Sequence, residues 1–418
     1  MAERLAAAPA RLARRARHLY GYWRAEQRTL RQGIASLAVS TFAGFVAGLV
    51  LGSITGTLEE LPGLLVLIPA AVGMRGNIMG AIGARLGTGV AAGIFEPTLK
   101  RDGLLANNVE VGIVSAVLSS FYLAAIAKPV AAAFGERTIS FWDLVTISVL
   151  GGTIASIVIL GVTIVIAVQS FRRGWDLDAV STPLVTALGD MVTLPALFLA
   201  SLVARNDVAN VVTVVLCLAA AVAALARAIV WSAPAVRRIL LEMAGVLALA
   251  PLLDILAGAF LELHRSRLTA VAGLLILIPP FVSQAGALGG ILSSRLGSKL
   301  QVGVITPRGL PEAPAVIDGS IVVILGIGIF TLIGGVAWAL SVLTGVAHPG
   351  AGTMVGGTLL AGLLVLPVTL ISGYYVAVLT SRSGLDPDNH GVPIITSVMD
   401  LAGVAAILFV MRTSGGLP

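Results

Sequence analysis

Apolar residues run through this chain in blocks long enough to cross a bilayer. No Asp, Glu, Lys or Arg occurs from Gln32 to Leu58, from Leu144 to Phe171, from Leu268 to Ser294, or in the 63 positions from Gly319 to Ser381. A membrane-crossing helix takes about 20 such residues. The pattern predicts eleven spans, near 34–56, 62–84, 106–130, 143–170, 180–203, 208–230, 240–261, 268–292, 316–344, 353–380 and 392–411. The fold class that follows is an all-α polytopic membrane protein.

Composition agrees and excludes other classes. Of the 418 residues 57% are hydrophobic and only 11% charged, against roughly 25% charged in soluble domains. A soluble enzyme, a nucleic-acid binder and a disulfide scaffold are set aside. The lone Cys217 can form no internal disulfide, and reads as lipid-facing or packed filler. His18, His264, His348 and His390 are scattered, with no spacing that puts two on one helix face.

Charge sets the expected orientation. The arm from Met1 to Arg31 holds eight arginines with no apolar core or cleavage site among them, so it reads as a basic helix on an anionic membrane surface, a topology anchor and not a cleaved signal. With the amino terminus inside, 20 of the 27 basic residues fall on the inner side, six on the outer, and Arg75 within a span. This asymmetry predicts a cell-membrane protein with a cytoplasmic amino terminus and an outside carboxyl terminus.

An internal repeat appears at an offset of 210 residues. Gly63-Leu-Leu-Val-Leu-Ile-Pro69 recurs as Gly273-Leu-Leu-Ile-Leu-Ile-Pro279, and positions 63 to 97 carry 14 identities in 35. The offset persists: Arg172, Gly174, Asp176, Asp178, Pro183, Thr186 and Asp190 match Arg382, Gly384, Asp386, Asp388, Pro393, Thr396 and Asp400. Each repeat holds five spans, and the sixth returns the chain to its starting side. The predicted organisation is a basic arm (1–31), a first repeat (32–205), a linking helix (206–238) and a second repeat (239–418). The repeats run parallel about a pseudo-two-fold axis, a monomer acting as a fused pseudo-dimer whose seam is the natural pathway.

Intramembrane charge is costly, so each buried acid is a candidate site. Asp190 and Asp400 lie inside the fifth span of their repeats, with Thr186 and Thr396 one turn earlier on the same face. Across the pseudo-two-fold the two carboxylates converge, and in low dielectric they repel or share a proton unless a cation lies between them. Magnesium is the best match, because it keeps its waters and is usually held by one or two carboxylates, whereas calcium prefers six to eight oxygens. The plain alternative is that each Asp caps a helix or pairs with Arg75. In the second span, Pro69, Gly76, Asn77 and Gly80, with Pro279, Gly286, Gln284 and Gly290 in the other copy, predict interrupted helical bonding with bared carbonyls and neutral oxygens from Asn77 and Gln284. Close helix packing is the other reading of these small residues, as for Gly44, Gly48 and Gly52 in the first span. Asp254 stands where the first repeat has Gly44; it is read either as a partner for Arg75 or as a proton or sodium site. Asp176, Asp178, Asp386 and Asp388 stand at the cytoplasmic mouth, as cation-concentrating or as solvated loop charge.

With these residues assembled, the chain resembles the MgtE magnesium channel superfamily, and within it the tandem-repeat solute carrier family 41. The resemblance rests on the Pro…Gly-Asn…Gly…Arg-Leu motif at 69–86, on Gly384-Leu-Asp-Pro387 and on the duplicated Pro-x-x-Thr-x-x-x-Asp at 183–190 and 393–400. It implies a transporter and not an enzyme, with the permeating magnesium on Asp190 and Asp400 and, as in similar eukaryotic members, sodium as a coupling ion. Sequences resembling the sensor and CBS domains of MgtE channels are absent, so their gating is not carried over. Leu177 and Ala287 replace Pro387 and Asn77 of the opposite copies, so the halves are unequal. The expected partners are a divalent cation and the lipid bilayer, with no nucleic acid. The other function considered is a proton- or sodium-coupled carrier of a small organic solute, with Asp190, Asp400 and Asp254 as coupling sites; a non-transporting scaffold has no use for duplicated buried acids.

Overall fold

The computed structural model describes residues 27–100, 103–173, 177–383 and 390–417. The arm up to 26, His18, Asp176, Asp386, Asp388 and the Gly384-Leu-Asp-Pro387 motif lie outside the described residues, as does the side chain of Asp178.

Eleven long helices follow one another: α1 (Gln27–Ser53), α2 (Leu64–Ala91), α3 (Leu104–Ala133), α4 (Phe141–Arg173), α5 (Leu177–Ala204), α6 (Asp207–Trp231), α7 (Pro234–Leu263), α8 (Ala272–Gln301), α9 (Ala313–Thr344), α10 (Ala351–Ser383) and α11 (Val392–Thr413). No strand occurs among the described residues. The helices α2 to α11 are long and apolar enough to cross a membrane, and α1 carries a shorter apolar stretch, Leu37–Ser53. Short helical elbows, Thr55–Glu60 and Arg265–Ala270, precede α2 and α8 at the repeat offset and pack together. With α6 between them, the five-helix units α1–α5 and α7–α11 place equivalent helices in the same direction.

Helices α2 and α8 run past their expected ends at 84 and 292. Arg85 and Arg295 thus sit in late turns of a helix and not in loops, because each long side chain reaches a partner. Arg295 and Lys299 both bond the fully buried carboxylate of Asp318 on α9, at 2.8 and 2.5 Å. In the first unit the equivalents of Lys299 and Asp318 are Gly89 and Asn108, and Arg85 turns instead to the sulfur of Met243 on α7 at 3.4 Å.

The expected interruption at the prolines takes a different form. Both second helices continue through Pro69 and through Pro279 and Pro280, but a proline leaves the carbonyl four residues earlier without its helical donor. Those carbonyls belong to Leu65, Leu275 and Ile276, and the first and last are met by a glycine from the other unit. A Cβ on Gly258 of α7 would lie 2.8 Å from the Leu65 oxygen and 2.4 Å from that of Val66. A Cβ on Gly48 of α1 would lie 2.2 Å from the Ile276 oxygen. Gly48 and Gly258 are equivalent at the 210-residue offset, as are Val66 and Ile276. The first helix of each unit therefore packs on the second helix of the other, a reciprocal exchange only side chains as small as glycine permit. Gly44 and Gly52 continue the α1 seam against Pro280 and Ile276, so the four-residue glycine spacing in α1 is a packing seam.

Gly48→Ala or Gly258→Ala drives a methyl into these carbonyls and is expected to cost about 1–3 kcal/mol, read as a lower Tm of the purified protein in detergent. Gly245→Ala, on α7 where nothing lies within 4 Å, is expected to leave Tm unchanged or raised. Asp318→Asn strands Arg295 and Lys299; because both keep some solvent access, the loss is expected at the lower end of about 3–5 kcal/mol, and an unchanged Tm would count against the buried ion cluster.

Candidate functional site

The reciprocal exchange brings α1, α2 and α5 against α7, α8 and α11, and the intramembrane acids lie where these six meet. Asp190 of α5 is buried, and its carboxylate accepts a hydrogen bond from the Ser283 hydroxyl of α8 at 3.1 Å. Ser283 in turn lies 3.0 Å from the hydroxyl of Ser40 on α1. Both units thus contribute to the surroundings of one carboxylate.

Asp400 of α11 is half-buried and has different company. A Cβ on Gly73 of α2 would stand 2.7 Å from Oδ2 of Asp254 and 3.7 Å from Oδ2 of Asp400. The two carboxylates therefore converge on one bare stretch of α2, and the charges of Asp190 and Asp254 both bear on Asp400. Asp254 is fully buried, and neither of its carboxylate oxygens has a hydrogen-bond partner among the described residues. No three His, Cys, Asp or Glu side chains among the described residues close into a ready-made ligand group.

The threonines expected beside the acids turn their methyl groups to the glycines of the second helices. Thr186 Cγ2 would lie 3.8 Å from a Cβ on Gly76, and Thr396 Cγ2 3.3 Å from one on the equivalent Gly286. The Thr396 hydroxyl donates to the Pro393 carbonyl at 2.9 Å. Gln284 is fully buried; its amide donates to the Leu37 carbonyl of α1 at 3.2 Å, leaving its oxygen unpartnered. Asn77 lines a cavity of about 30 Å³ with Arg85, Glu242, His390 and Pro393, and its amide nitrogen is unpartnered.

Arg75 does not pair with any of these acids. Its guanidinium donates to the Ala71 carbonyl at 2.7 Å, the Ser120 hydroxyl at 2.7 Å and the Ser148 carbonyl at 3.4 Å, between α3 and α4. Gly152 leaves it room, since a Cβ there would collide with Nη2. At the equivalent place in the second unit, the ring of Phe330 lies over Gly362 and against Phe281. One niche of the duplicated architecture is filled by an arginine in one copy and by a phenylalanine in the other, so Arg75 serves packing away from the acids. The pairing of Asp254 with Arg75 is thereby excluded.

Ser283, Ser40 and Gly73 are site residues that sequence reasoning missed. Ser283 and Gly73 are equivalent at the repeat offset, and that inequality beside two equal aspartates was the available signal. Of the remaining candidates, Cys217 is buried on α6, His264 bonds the Phe260 carbonyl, and His348 accepts from the Gly350 amide.

Comparison with known proteins bears on what this arrangement carries. The MgtE family, described as a divalent cation transporter, matches residues 68–200 and again 278–410, two segments separated by the same 210 residues. Solute carrier family 41 member 3 of Rattus norvegicus is 25% identical over 390 residues, 89% of this chain and 84% of the relative. Member 3 of Mus musculus is 25% identical over 367 residues, 84% of this chain and 75% of the relative. Member 2 of Mus musculus is 24% identical over 400 residues, covering 90% and 69%. No solved structure matches the chain. With more than half of its length in two matching segments, and with its helices built to cross a membrane, the chain belongs to the MgtE family of divalent cation transporters.

Proposed function

We propose that the transported ion is magnesium first among divalent cations, and that it passes at the seam of the two units between Asp190 and Asp400. The observation that carries this reading is that aspartates at equivalent positions come from both units to one seam, Asp190 buried against Ser283 of α8 and Asp400 half-buried beside Gly73 of α2. Two such carboxylates repel or share a proton unless a cation lies between them, and Arg75 is engaged elsewhere. An ion held through retained waters, as magnesium commonly is, needs no closed shell of protein ligands. Asn77 and Gln284, each with an unpartnered amide atom, are polar groups to which such waters bond, and the hydroxyls of Thr186 and Thr396 add oxygens one turn from the acids. The protein acts as a monomeric fused pseudo-dimer in the cell membrane, with its amino terminus in the cytoplasm and its carboxyl terminus outside. Sodium is the coupling ion of this reading.

Magnesium flux into proteoliposomes loaded with an indicator dye tests it. Asp190→Asn and Asp400→Asn are each expected to lower flux on the order of tenfold or more, the scale of losing a group that tunes a metal site. Flux that rises with an imposed sodium gradient is expected of a coupled carrier. Full flux in both variants would remove the ion from the aspartate pair. No magnesium flux under any gradient, together with proton- or sodium-driven uptake of an organic solute, would overturn the choice of cargo.

A further inference from the structure

The two halves of the site are unequal in a concerted way. In the first unit Gly44 is pressed onto α8: a Cβ there would stand 2.6 Å from the Cα of Pro280, so no side chain can project from that position. At the equivalent contact, between α7 and α2, Pro280 is matched by Ala70 of the first unit and Gly44 by Asp254 of the second. The smaller residue on α2 leaves the space an aspartate on α7 needs. A third difference continues the pattern, for Ser283, whose hydroxyl bonds Asp190, is replaced by Gly73, whose missing side chain is the space that the Asp254 carboxylate enters. Three substitutions at the repeat offset thus add one carboxylate to one half of the site.

That carboxylate has no basic partner among the described residues. Asp254 is fully buried, both of its oxygens lack a hydrogen bond among the described residues, and its near neighbour across Gly73 is another acid. Arg75, two residues farther along α2, faces α3 and α4. The polar neighbours of the carboxylate on α11 are the buried Ser397 and Asp400, and neither brings a positive charge. A buried acid without a basic partner is costly in its charged form, and in a membrane protein it marks an ion or proton site by default.

We infer that Asp254 is a third carboxylate of the divalent-cation site, supplied by α7 of the second unit alone, so that the ion rests off the pseudo-two-fold axis on the Asp254–Asp400 side. This rests on the paired-aspartate reading above and goes beyond it by making the site asymmetric. The ion class is a hard divalent cation that accepts oxygen ligands, the preference shared by magnesium and manganese. On the Asp190 side the ion meets one carboxylate already engaged by Ser283. On the other side it meets two whose oxygens converge on bare backbone.

The test is titration of the purified full chain in detergent with Mn²⁺, free ion being read by its paramagnetic resonance signal. Asp254→Asn and Asp400→Asn are each expected to weaken Mn²⁺ binding on the order of tenfold or more, and Asp190→Asn to weaken it less. Gly73→Ser, which leaves Asp254 in place but fills the space where the carboxylates meet, is expected to weaken binding as Asp254→Asn does; it decides the matter should the latter not yield monodisperse protein. Wild-type affinity in both Asp254→Asn and Gly73→Ser, with binding lost in Asp190→Asn and Asp400→Asn, overturns the third carboxylate and leaves the paired site standing. Wild-type affinity in all four variants overturns the paired site itself.

Discussion

The architecture depends on the contact between two glycines and two carbonyls that proline has freed. Within a membrane the apolar character of side chains supplies no driving force for one helix to choose another, so close packing and polar satisfaction decide. Pro69 and Pro280 each remove a helical donor, and the strand of backbone so exposed would be a liability against lipid. Gly258 and Gly48 cover it with the other unit's first helix. Because each unit covers the other's exposed backbone, neither closes its own core alone. The seam between them is thus a permanent part of the fold, and the acids of α5 and α11 are held at it by packing of the helices around them.

A seam of this kind separates two demands that usually conflict. Close helix packing wants small residues, while an ion wants oxygens and room. The glycines at 44, 48 and 52 meet the first demand along α1, and the same positions in α7 are Asp254, Gly258 and Glu262. Only the middle residue is a packing glycine in both. Glu262 accepts a hydrogen bond from the Gly63 amide at 2.9 Å and pairs with Arg265 at 3.0 Å, tying the elbow before α2 to the end of α7. The second unit's first helix has kept the central contact and given its two flanking positions to acids, one structural and one without a basic partner among the described residues.

Much of this was legible in the sequence, for identifiable reasons. Uncharged runs as long as a bilayer is thick have few alternatives to a helix, so a helix overlaps each of the eleven expected spans, and ten of these are long and apolar enough to cross. Their ends were misplaced at α2 and α8 because Arg85 and Arg295 look like loop residues until Met243 and Asp318 are seen to receive them. The repeat offset told which residues are equivalent but not which copy touches which. The exchange of first helices, and with it the Ser283–Asp190 bond between units, therefore could not be read. The reading of Arg75 as a partner for the acids, one of two open in the sequence, fails because hydropathy cannot tell on which side of α2 a guanidinium lies. Its equivalence to a niche filled by Phe330 needed coordinates.

Duplication within one chain explains how such inequality arises. In a dimer of identical halves, an aspartate placed at the Gly44 position would occur twice, and Pro280 would clash with it unless changed in both copies at once. Four buried carboxylates would then crowd one seam, with a desolvation and repulsion cost that a single divalent ion cannot offset. Fusing the halves lets one of the two equivalent contacts between units, Gly44 on Pro280, hold the units together while the other, where Asp254 meets Ala70 and Gly73, adds a single acid. The packing contact and the extra charge are alternatives at one position of the architecture, and a tandem repeat is the arrangement that can hold both.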